Sequence, residues 1–253
     1  MCYYSICILK KENKKDMTFP GALSGVKRIF LAFMIILIST LVMNISTIIN
    51  EIGNLVDSYS MRTAGILGSM ISFFVGGLFV IGATILEILG IFNARSDESG
   101  SRFLLVALIA AIVNVPVSII NTFYDIAKIP MAVATNVLAI VTVVFTVLGI
   151  RGFAKKLGDE MLTRRACFTW ILLAILRAFS TVVALVTPSP EENTPHETLV
   201  FIFIMYTVYT VLITAYYVIY VLFLSRAKKM LKPKESGSKF TSSGPKYYNP
   251  AED

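Results

Sequence analysis

The sequence predicts an all-α integral membrane protein with six transmembrane helices. Two observations carry that expectation. The 253 residues are 56% hydrophobic and only 15% charged, with a mean hydropathy of +0.74, which leaves too little polar side chain to cover a soluble domain. Six apolar stretches also reach the roughly 20 residues that a helix needs to cross a hydrocarbon core about 30 Å thick. None alternates polar with apolar residues over about ten positions, as the strands of a membrane barrel would.

Each span is bounded by charge. The first, 29–49, follows Lys27 and Arg28 and stops before Glu51. The second, 64–92, lies between Arg62 and Arg95 and holds one internal acid, Glu87. The third, 103–124, follows Arg102, ends at Asp125 and contains Pro116, which removes a backbone hydrogen bond and should bend the helix. The fourth, 129–153, runs from Lys128 to Lys155 and Lys156. The fifth, 166–187, follows Arg164 and Arg165 and holds a single charge, Arg177, close to its middle. The sixth, 199–225, ends at Arg226.

Lys and Arg alternate between the two sides. They gather before the first span (Lys10, Lys11, Lys14, Lys15, Lys27, Arg28), between the second and third (Arg95, Arg102), between the fourth and fifth, and after the sixth. The opposite connections hold only Arg62, Lys128 and, in "PSPEENTPHE", no basic residue but a histidine. Short basic loops stay in the cytoplasm, so both termini are expected there, in the cell membrane. The net charge of +7 is then a topology signal, and nucleic acid is not an expected partner, since no soluble basic domain with aromatic platforms exists to bind it. Residues 1–28 read as a cytoplasmic segment, 29–225 as the membrane domain and 226–253 as a basic, disordered cytoplasmic tail. The start of that tail is expected to lie against anionic lipid headgroups. No removable signal peptide is expected, and Met17 is a second candidate start.

Catalytic and metal signatures are missing from the sequence. Cys2, Cys7 and Cys167 are scattered, and the only histidine, His196, sits in an external loop among Pro188, Pro190 and Pro195. Neither a zinc set nor a nucleophile–base pair can be assembled from them. The chain is expected to be no enzyme and to hold no metal or cofactor. A glycosylation triplet at Asn44-Ile-Ser46 falls inside a span, where it is unusable.

A repeated spacing stands out. Twelve residues after Arg28 comes Thr40, then Asn44, Thr47 and Glu51; twelve after Arg102 comes Asn114, then Ser118, Asn121 and Asp125. Steps of four, three and four keep to one helix face, so two helices carry a polar stripe from mid-membrane to an external carboxylate. The fifth span begins the same way, with Arg165, Arg177 and Thr181. The pattern predicts three copies of a two-helix hairpin, as in transporters built from repeats.

The twelve residues from Arg165 place Arg177 about 18 Å deep, near mid-membrane, while Glu87 lies about 12 Å from Arg95. A charge at that depth must face a partner, water or protein. The first expectation is a Glu87–Arg177 ion pair. The alternatives are that Glu87 snorkels while Arg177 faces a water-filled cavity, or that another subunit pairs with the arginine. Gly68, Ser72 and Gly76 should clear a groove for a neighbouring helix. Tyr206, Tyr209, Tyr216, Tyr217 and Tyr220 share one face of the sixth span, which reads as interhelical packing rather than an aromatic ligand path.

Function is expected to be that of a non-catalytic membrane subunit for assembly, interaction or regulation. Its small neutral polar residues would hydrogen-bond its own helices, and it would meet a protein partner or a second copy within the membrane. The alternative is a small-solute transporter or channel-like protein, with Thr40, Asn44, Asn114, Ser118 and Arg177 lining an outward-open cavity.

Overall fold

A computed structural model describes residues 18–56, 59–98, 102–123, 128–188 and 195–232. Six helices account for nearly all of them: α1 (Pro20–Leu55), α2 (Tyr59–Arg95), α3 (Phe103–Phe123), α4 (Lys128–Leu157), α5 (Glu160–Val186) and α6 (His196–Leu231). No strand occurs among the described residues. All six helices contain a stretch long and apolar enough to cross a membrane, as a multi-pass membrane protein requires.

Helix ends follow local chemistry more than the apolar boundaries. Pro20 occupies the first turn of α1, where its missing N–H is no loss, so the helix starts well before residue 29. The Phe19 side chain offers no cap; instead Asp97, in the turn after α2, accepts from the Ala22 N–H at 2.8 Å. Its neighbour Glu98 accepts from the Leu104 N–H at the start of α3, at 3.1 and 3.2 Å. Two adjacent carboxylates thus cap two helices, each at the positive end of a helix dipole.

The basic connection between α4 and α5 shrinks to Gly158 and Asp159. Gly158 takes a left-handed φ of +73°, its N–H bonds to the Lys155 carbonyl, and the Asp159 N–H bonds to that of Ala154. This is the Schellman closure that glycine favours. Asp159 then opens α5 by accepting from the Leu162 N–H at 2.8 Å.

At the far end the first residues assigned to the tail are helical. Arg226 to Leu231 continue α6, because Ala227 and Leu231 extend its packed face and are buried. Lys228 Nζ lies 4.1 Å from the Phe30 ring centroid, a cation–π contact. Residues 233–253, and with them the rest of the expected tail, lie outside the described residues, as do residues 1–17 with Met17.

The helices form a ring in chain order. Each packs on its sequence neighbours, α6 closes onto α1, and α4 also touches α6. The most extensive interface joins α1 to α2. Here a Cβ on Gly90 would stand 2.6 Å from Ile29 Cγ1 and 2.8 Å from the Gly25 carbonyl oxygen; one on Gly65 would meet the Asn50 backbone at 2.6 Å. Only glycine lets the two backbones approach so closely.

Packing is tight at one end of the ring. Buried apolar residues run from Ala22 to Phe33 in α1, Ala83 to Ala94 in α2, Leu104 to Ala111 in α3, Val143 to Ala154 in α4 and Tyr216 to Leu231 in α6. These are the halves next to the basic connections. Beyond Ala111 in α3 and before Thr142 in α4, no described residue is buried. The looser packing at the other end is confined to α3 and α4, since Glu51, Gly65, Ser180, Val183 and Ile202 are buried there.

Candidate functional site

Arg177 projects from α5 toward α6, not toward α2. Its guanidinium carbon lies 5.7 Å from the Tyr216 ring centroid, within cation–π range, and the side chain hydrogen-bonds Tyr217. Tyr209 completes its electrostatic surroundings. The Arg177 carbonyl accepts from both Ser180 and Thr181 hydroxyls, at 2.9 and 2.8 Å, so that turn of α5 is held by its own side chains.

The tyrosines are anchored from the other side. Phe33 of α1 meets Tyr220 edge-on at 4.5 Å and Tyr217 at 6.2 Å, and Tyr216 meets Tyr217 at 5.1 Å. Tyr216 and Tyr220 are buried. The Tyr220 hydroxyl approaches Thr146 of α4, which is itself buried and bonds the Thr142 carbonyl at 2.7 Å. A cation in mid-membrane is thereby met by aromatic faces and a hydroxyl rather than by a carboxylate.

Glu87 is not joined to Arg177 by an ion pair among the described residues. The cause is ring order: α2 and α5 lie on opposite sides and share no packed face, so the similar depth of the two residues never becomes proximity. Glu87 is half-buried and lies within electrostatic reach of Tyr216 and Tyr220. Tyr216 thus lies within electrostatic reach of both charges.

The stripes lie in the halves of α1 and α3 away from the basic connections. Thr40, Asn44, Thr47, Asn114, Ser118 and Asn121 are all half-buried. Thr47 bonds back to the Met43 carbonyl of its own helix at 3.1 Å. Asn44 Nδ2, Asn114 Oδ1 and Asn121 Oδ1 are each buried without a hydrogen-bond partner, as are Arg177 Nε and Thr214 Oγ1. Such atoms each cost about 1–3 kcal/mol if left unsatisfied.

Glu51, expected as the external carboxylate that ends the first stripe, is buried rather than free in solvent. It is only 4% exposed, is hydrogen-bonded to Asn54 and lies near Tyr206 of α6, a helix against which α1 packs. Asp125 lies outside the described residues, as does the side chain of Ser72. Gly68 and Gly76 do face α1, opposite Ser46 and Met43. The closest approaches, at Gly25, Gly65 and Gly90, were not anticipated. The four-residue step from Gly21 to Gly25 was the available signal.

No protein-family model, curated protein or solved structure matches the chain. Its chemistry therefore has to be argued from this arrangement. The parts are an arginine held among tyrosines, a glutamate within electrostatic reach of Tyr216 and Tyr220, and asparagines with unpartnered buried amide atoms.

Proposed function

We propose that the chain is a channel-like protein or transporter for a small, anionic solute, which enters along the polar stripes toward Arg177. The observation that carries this reading is the unpartnered, buried amide atom on each of Asn44, Asn114 and Asn121. Stripes whose purpose was to hydrogen-bond neighbouring helices would leave no such atoms, whereas a stripe that meets water or solute when the bundle opens gains partners then. Arginine, always charged and able to bind a carboxylate through two N–H groups, selects for anions.

In this reading both termini are cytoplasmic and the protein sits in the cell membrane, as the distribution of Lys and Arg supports. The stripes then open outward. A threefold repeat of a two-helix hairpin is supported by the shared twelve-residue spacing and by a ring in which hairpin partners are neighbours.

The non-catalytic subunit reading keeps one specific support. Apolar side chains such as Phe74, Leu78, Phe168 and Val211 are more than 60% exposed and lie where either lipid or a partner helix would cover them. Purified protein in liposomes separates the two. Flux of a small carboxylate or inorganic anion that falls at least tenfold in Arg177→Gln and Asn114→Leu supports transport. Tight, well-folded liposomes without flux of any tested anion, together with a stable second protein retained through purification, would support the subunit.

A further inference from the structure

At the basic end of the bundle, α5 and α6 diverge around an open groove of about 330 Å³. Two arginines converge on it from different helices, Arg165 of α5 and Arg226 of α6. The rest of its wall is apolar apart from Thr169, with Phe168 and Leu222 exposed at 76% and 56%.

Arg165 and Arg226 bound the apolar stretches of α5 and α6 at the basic end, where the distribution of Lys and Arg sets the headgroup boundary. Phe168, Leu222 and Ile219 lie three to seven residues further into those stretches, about 5–10 Å deeper and at acyl-chain level.

Neither arginine has a carboxylate at ion-pair distance among the described residues. The neighbouring Arg164 does, 3.9 Å from Glu160, so the available acid is used beside the groove rather than in it. Two uncompensated guanidiniums above an apolar trough complement one molecule type: a phosphate with fatty chains beneath it.

We propose that this groove is a binding site for a single anionic phospholipid of the leaflet at the basic end, its phosphate between Arg165 and Arg226 and one acyl chain along Phe168 and Leu222. The lipid would splint α5 to α6 directly below the Arg177–tyrosine contact. The site depends on the membrane-spanning fold alone and not on the transport reading.

The single tryptophan of the chain, Trp170, is the residue after Thr169 of the groove and provides the test. Full-length protein is reconstituted in phosphatidylcholine bilayers containing either brominated phosphatidylglycerol or brominated phosphatidylcholine, and Trp170 quenching gives the relative affinity. The expected result is a preference of about tenfold for the anionic lipid, lost in the Arg165→Gln/Arg226→Gln double variant and kept in an Arg95→Gln/Lys229→Gln control that changes exposed charges outside the groove. Leu222→Tyr, which fills the trough without altering charge, should also reduce it, and decides the matter if the arginine variant does not fold. No preference in the wild type, equal loss in the control, or displacement of the lipid by excess glycerophosphate would each overturn the site.

Discussion

The seam between α1 and α2 makes opposite predictions for one substitution at different glycines of a single helix. In Gly90→Ala the new methyl carbon would stand 2.6 Å from Ile29 Cγ1, 2.8 Å from the Gly25 carbonyl oxygen and 3.0 Å from the Ile29 amide nitrogen. In Gly25→Ala it would stand 2.6 Å from the Ala94 amide nitrogen and 2.7 Å from the Ala94 Cβ. Carbon contacts are optimal near 3.5–4.0 Å, so both helices would have to part by about 1 Å, which forfeits a quarter to a half of each affected contact. Because backbone atoms are among those struck, no rotamer change relieves the clash. Overpacking of this kind costs about 1–3 kcal/mol, and the helix preference of alanine over glycine returns about 1 kcal/mol.

A net loss of up to about 2 kcal/mol is expected at each site. At Gly77 and Gly82 an added Cβ meets no described atom within 4 Å, so alanine there should be neutral or stabilise by up to about 1 kcal/mol. Thermal unfolding in lipid nanodiscs, at roughly 2–4 °C per kcal/mol for a chain of this size, resolves the difference in sign. If Gly25→Ala and Gly90→Ala raise Tm as the two controls do, the close seam is wrong.

Three other predictions follow from the contacts described above. Glu87→Gln and Arg177→Gln should act independently on stability, with a coupling under about 0.5 kcal/mol, whereas Arg177→Gln and Tyr217→Phe should couple by more than that; a double-mutant cycle measures both. Asp97→Ala should cost about 0.5–2 kcal/mol by uncapping α1, seen as lower Tm and faster amide exchange in the first turn. Gly158→Ala should cost about 1–2 kcal/mol, since a β-carbon resists the left-handed turn that joins α4 to α5; Gly158→Asn, which tolerates that conformation, should recover part of the loss in the same melt.

Much of this protein can be read from its one-dimensional pattern. That six helices long and apolar enough to span a membrane exist, and roughly where, follows from apolar runs, because the length of a span is set by the bilayer and not by neighbouring helices. Ends were less legible. A run of hydrophobicity stops at Lys27 or Arg226, but a helix stops only where its backbone does, so Pro20, the Gly158–Asp159 junction and the buried Ala227 and Leu231 moved four boundaries outward.

The site was half legible for the same kind of reason. Depth is additive along a helix at 1.5 Å per residue, so the mid-membrane position of Arg177 and the single face shared by the tyrosines could be computed from spacing. Which helix stands beside which is not additive. The sequence by itself determined the membrane class and the charge that needs a partner. Only the tertiary structure decided that α6 and not α2 faces Arg177, that Glu51 is buried, and that Gly25 meets Gly90, because each depends on how the ring closes and on rotations about helix axes that spacing along one chain cannot specify.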